Sequence, residues 1–162
     1  MGRRCCDGVP VRMLCTGVML LLPVAAMAGD ALACGAAATP AERLNCAEDV
    51  FRESDESLSS SFAATLLLAG RLDGSLPKGQ SGAAASLMRS QRAWVDYRDS
   101  ACTSRGFLFR GTEDETFIVS RCMNELTLER LHCLDRMQKV ILLRLEGEQA
   151  DKGKSAFRSP VN

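Results

Sequence analysis

Apolar side chains return every three or four positions from residue 44 onward: Leu44, Ala47, Phe51, then Asp55, and again Leu58, Phe62 and Leu66. That spacing lays them along one face of an α-helix, with a carboxylate in the stripe. The start of the helix is written in Thr39-Pro40-Ala41-Glu42. Thr39 suits the cap, Pro40 the first turn, and Glu42 the reciprocal capping position three residues on. The helix is predicted from about Pro40 to Ala69, with Gly70 as its stop. GRLDGSLPKGQSG (70–82) has loop composition. The period resumes at Ala84, Leu87, Met88, Gln91, Trp94, Val95, Arg98 and Cys102, then breaks over a second loop, Ser104 to Glu115. A third helix carries Val119, Cys122, Leu126, Arg130, Cys133, Met137 and Ile141 on one face. No window alternates as a half-buried strand would, so the chain reads as all-α, a small bundle of three long helices. Residues 146–162 lack an apolar period and read as a disordered tail.

The first 28 residues change where this bundle is expected to work. Arg3, Arg4 and Arg12 precede the apolar run 13–28, which closes on Ala26-Met27-Ala28. A basic start, a short apolar segment and a small-x-small cleavage site make a signal peptide. The apolar run is short for a membrane anchor. Export leads to a periplasmic or secreted protein. The alternative is lipid anchoring: Ala31-Leu32-Ala33-Cys34 is a weak lipobox, and only a lipid on Cys34 would bring in the membrane.

Loss of the leader also removes Cys5, Cys6 and Cys15, leaving Cys34, Cys46, Cys102, Cys122 and Cys133. In an oxidising compartment these are expected to pair, with one left over. The single histidine, His132, and the lack of a CxxC spacing leave no metal site in view, and no cofactor motif is present. Without Arg3, Arg4, Arg12 and Asp7, the 20 basic and 20 acidic side chains become 17 and 19. A slightly acidic chain lacks the basic stripe that a nucleic-acid partner would need.

Charge becomes informative where it interrupts an apolar face. Asp55, Gln91, Arg98 and Arg130 all do so. Burying them separately is costly, so they are expected to meet as a polar core joint, with Asp55 accepting from one or both arginines. In QRAWVDYRDSAC (91–102), Trp94, Val95 and Tyr97 are expected inside, while Asp96 and Asp99 face away from Arg98 into solvent. The joint offers one acid, no histidine and no serine beside a base, so no catalytic residue is assigned and the protein is read as a non-enzyme.

Cys34, Glu42, Asn45-Cys46-Ala47, Phe51, Asp55, Leu58 and Phe62, then QRAWVDYRDSAC, then Cys122, Leu126-Thr127 and Arg130, resemble the LprI-type lysozyme-inhibitor domain of bacterial envelope proteins. The likeness covers about residues 34–134 and places the domain at 29–145. It implies a disulfide-stapled helical module without enzymatic activity, with Cys34 joined to Cys46 and Cys102 to Cys122. Cys133 is an addition to the family pattern. Arg110-Gly111-Thr112 and the acids that follow replace a glycine-rich GGS.

A protein partner follows from the resemblance, with lysozyme as the candidate. Lysozymes are generally basic, so Glu113, Asp114 and Glu115 are expected to present carboxylates while Phe107, Leu108 and Phe109 supply an apolar anchor. The competing reading is a structural or adaptor protein of the envelope with no lysozyme target. An exposed apolar patch on one helix would favour it.

Overall fold

The computed structural model describes residues 34–36 and 39–157. The leader at 1–28 lies outside them. Three α-helices make up the described bundle: α1 (Pro40–Ser75), α2 (Ala83–Gly106) and α3 (Glu115–Phe157), with one turn of 3-10 helix at Phe107–Phe109. Among the described residues there is no strand. The chain is all-α.

The start of α1 follows from its sequence. The Glu42 N–H donates to Thr39 Oγ1 at 3.2 Å, and the Thr39 N–H donates to Glu42 Oε2 at 2.9 Å. Two otherwise unpaired amides are thereby satisfied. The end of α1 differs from expectation. The helix passes through Gly70, which is exposed with open space around it, and runs on to Ser75. The stop is set by Pro77, because the preceding residue, Leu76, takes the extended conformation (φ −78°, ψ 150°) that a following proline favours.

Asp73, in the stretch read as loop, then starts the next helix. Its carboxylate accepts from the N–H groups of Gly82 and Ala83 at 2.7 Å and of Ala84 at 3.0 Å. Gly82 stands at φ +141°, a backbone state that side chains disfavour, so α2 is capped from across the reversal and not by its own preceding residue.

α1 and α3 run in the same direction and α2 against both. Arg43 meets Asp114 at one end, and Gln138 reaches Ser61 and Thr65 further along. Ser90 meets Arg130, whereas Arg105 meets Glu125. Two apolar clusters fill the bundle. Leu58, Ala69, Leu87 and Leu134 pack with Phe62, Leu66, Trp94 and Leu131 around one. Cys34, Ala47 and Phe117 form the other, with Cys46, Val50 and Ile118.

Several core positions escape the apolar pattern. Ser54 and Thr65 are buried because their hydroxyls donate back to the carbonyls of Phe51 (2.8 Å) and Ser61 (2.7 Å), which lets small polar residues sit where α1 and α3 approach. Conversely, Met88 and Met137, expected inside, are exposed, and Tyr97 is 60% exposed. With only two neighbours, each helix buries a narrower stripe than the period allows. α3 continues to Phe157, through the first part of the segment 146–162 read as a tail; residues 158–162 lie outside the described residues. Leu145 is still buried, Gly147 is in open space, and Arg144 pairs with Glu148 one turn on at 3.3 Å, so nothing breaks the helix there.

Bridges close between Cys34 and Cys46 and between Cys102 and Cys122, each with Cα atoms 5.5 Å apart. The thiol of Cys133 is buried outside both, with an Arg136 N–H donor 3.8 Å from its sulfur.

Candidate functional site

Two places gather charge and aromatic rings. The first lies between the apolar clusters. Arg98 projects from α2 with its side chain only 10% exposed. Nη1 donates to Asp55 Oδ1 on α1 at 2.6 Å and to Thr127 Oγ1 on α3 at 3.3 Å. The guanidinium carbon stands 5.2 Å from the ring centroids of both Phe51 and Trp94. An arginine between two ring faces with its donors on a carboxylate ties all three helices together.

The rest of the polar stripe divides differently from expectation. Arg130 does not reach Asp55. Its Nε donates to Gln91 Oε1 at 3.0 Å and its Nη2 to Ser90 Oγ at 3.2 Å, with the guanidinium 5.9 Å from the Trp94 ring. Asp99, expected to face away, turns back and accepts from Arg98 Nε at 2.9 Å. The Nε edge of Arg98 points along its own helix, where the next side chain reaches it. Asp96 is exposed.

The second place is the end of the bundle where α2 passes into α3. Cys102 and Cys122 join the two helices there. Gly106 permits the close approach: a Cβ on it would stand 2.5 Å from Val119 Cγ2. The chain leaves α2 in the turn Phe107–Phe109, which holds Phe107 and Leu108 outward at 55% and 79% exposure and Phe109 less so. Thr112 Oγ1 donates to the Phe109 carbonyl at 2.7 Å, and Gly111 takes φ +78° to bring the chain round.

The three acids of this turn have separate fates. Asp114 is held by Arg43 of α1 at 2.6 Å. Glu115 accepts from the Gly111 N–H at 3.1 Å and faces Arg110 at 3.6 Å. Glu113 stays exposed. Asp114 and Glu115 therefore shape the turn, and of the trio Glu113 is turned to solvent. Arg110, absent from the expected site, lies over the Phe107 ring at 4.6 Å with its side chain 65% exposed. A lone arginine in a loop carries no periodic signal; its only sequence mark was its departure from the family's glycines.

Among the described residues no cluster of three or more His, Cys, Asp or Glu could hold a metal ion, and no helix is long and apolar enough to cross a membrane.

A three-helix module tied by two bridges and an arginine joint, with a braced turn at one end, defines a class of small helical domains. Residues 33–134 match the family described as Lysozyme inhibitor LprI, and the chain belongs to that family. It is also similar to an uncharacterized protein of Rhizobium meliloti (strain 1021), 34% identical over 88 residues. The matched segment is 52% of this chain and spans 63% of that relative's length. No solved structure matches the chain.

Proposed function

We propose that the protein is an exported, non-enzymatic binding module that engages lysozyme through the end of the bundle bearing Phe107, Leu108, Phe109 and Glu113. The observation that carries this reading is the turn itself. Two large apolar side chains stand out at 55% and 79% exposure on a segment fixed by a bridge, by a close helix contact and by Asp114 and Glu115 from within. A rigid apolar projection is costly in water unless something covers it. Family membership supplies the class of partner.

The compartment is the periplasm or the exterior. The Cys34 sulfur is bonded to Cys46 and buried, so the same sulfur is not left for a lipid thioether. The fitting test is calorimetric titration of residues 29–162 into a panel of animal and bacterial lysozymes, alongside clearing of cell-wall suspensions. Saturable binding with slowed clearing is expected. Failure with every lysozyme would transfer the protein to the second reading, an envelope adaptor. That reading draws on Val140 and Leu143, one turn apart and exposed on the outer face of α3.

A further inference from the structure

We infer that Arg110 is the specificity-determining residue of the bundle end, the cation that enters a glycosidase cleft and meets its paired carboxylates. This deepens the inhibitor reading above and rests on it. Enzymes that cleave glycosidic bonds commonly do so between two carboxyl groups about 5–9.5 Å apart. Such a cleft is a negative recess, even in an enzyme that is basic overall. A protein that blocks it needs a convex, rigid tip with a cation at the point, apolar flanks, and acidic groups set further back.

The end of the bundle has that arrangement. Arg110 follows directly on the exposed Phe107–Phe109 turn, and its guanidinium lies 4.6 Å from the Phe107 ring centroid. Glu115 approaches Arg110 Nη1 only to 3.6 Å, beyond hydrogen-bond distance, so it orients the side chain while leaving its donors open. The neighbouring arginines are engaged: Arg43 with Asp114 at 2.6 Å, Arg105 with Glu125 at 2.7 Å, and Arg121 with Glu125 at 3.3 Å. Arg110 is the most exposed of these arginines, at 65% against 46% for Arg105 and 43% for Arg121. A planar fork can bridge two carboxylate oxygens where a lysine would meet one as a point charge. The Cys102–Cys122 bridge and the contact at Gly106 hold the turn before any partner arrives, which lowers the ordering cost of association.

The test compares residues 29–162 with Arg110→Gln, Arg110→Lys and Asp96→Asn by calorimetry against a lysozyme that the wild type binds, with and without a chito-oligosaccharide filling the cleft. Melting curves establish that each variant is folded. Arg110→Gln should bind about thirty-fold more weakly or worse, Arg110→Lys should recover part of the loss, and the oligosaccharide should compete with the wild type. Asp96→Asn, at an exposed position of α2 away from the turn, should change affinity by no more than about three-fold. If Arg110→Gln binds within about three-fold of wild type, or if oligosaccharide and protein bind together, the inference is overturned while the inhibitor reading stands. If the wild type binds no lysozyme at all, both are overturned.

Discussion

Arg98 and Arg110 are assembled from the same parts, a guanidinium, an aromatic ring and a nearby carboxylate, yet they lie at opposite extremes of burial. Arg98 is 10% exposed, stands between two rings and donates to Asp55, Asp99 and Thr127. Arg110 is 65% exposed, lies on one ring and has a single carboxylate at 3.6 Å. Removing the first takes the partner from two half-exposed carboxylates and from the buried Thr127 hydroxyl; removing the second unpairs one carboxylate that keeps its bond from Gly111. A charge cluster in a helical protein becomes a structural joint or a recognition group according to how many of its donors the fold has already used.

The comparison can be broken most directly at Arg98. Arg98→Ala is expected to destabilise the protein by about 3 kcal/mol, toward the low side for a buried pair because Asp55 and Asp99 are half exposed and can rehydrate. Thermal melting should show a loss on the order of 10 °C. A shift no larger than that of Asp96→Ala would remove the distinction between the two arginines.

Gly106→Ala tests whether the bundle end is braced by the approach of α2 to α3. The added methyl would stand 2.5 Å from Val119 Cγ2, and separation of the helices should cost about 1–2 kcal/mol. Val119→Ala made with it should restore most of the stability, because the space is then vacated. Failure of that rescue would mean that something other than this contact spaces the helices.

A smaller effect is expected at Asp73. Hydrogen bonds from the backbone N–H groups of Gly82, Ala84 and Ala83 hold its carboxyl below the usual carboxylate range. Its folded pKa thus lies below its unfolded one. Its contribution is complete above the unfolded value and is lost as pH falls through the folded one. Asp73→Asn should lower the melting temperature modestly at neutral pH and flatten its decline in acid. A decline identical to wild type would exclude Asp73 as its source. Smallest of all, Arg110→Gln should move stability by less than about 0.5 kcal/mol, the expectation for an exposed side chain with a long ion pair.

The parts of this architecture that were legible in the sequence are those in which one local rule suffices. Thr39, Pro40 and Glu42 announce α1 because the capping box spans only four residues. Asp55 and Arg98 announce a joint because charges on an apolar stripe must meet something. Gly70 misleads, since a glycine on an exposed helix face weakens the helix without ending it. Asp73, Asp99 and Asp114 were out of reach for another reason. Their partners are set by tertiary geometry: a reversal of the chain, a rotamer, and a meeting of Arg43 with a residue 71 positions away. The site shows the same division. The apolar run Phe107 to Phe109 is visible in the composition, whereas the pairing of Asp114 with Arg43, the bond from the Gly111 N–H to Glu115 and the seating of Arg110 over Phe107 arise only once the chain is folded.

Both disulfides sit in the half of the bundle that carries the Phe107–Arg110 turn, closing sequence separations of only 12 and 20 residues. The other half, where α1 reverses into α2 and α3 runs on past Ile141, is held by packing and by the Asp73 clasp. Local opening under native conditions should therefore be graded along the long axis, with amide protons exchanging slowly around Cys46 and Cys122 and progressively faster toward the far end of α3. The projecting turn at the slow end would then keep its shape through fluctuations that loosen the rest of the molecule, so that its geometry is set before the far half of the bundle is.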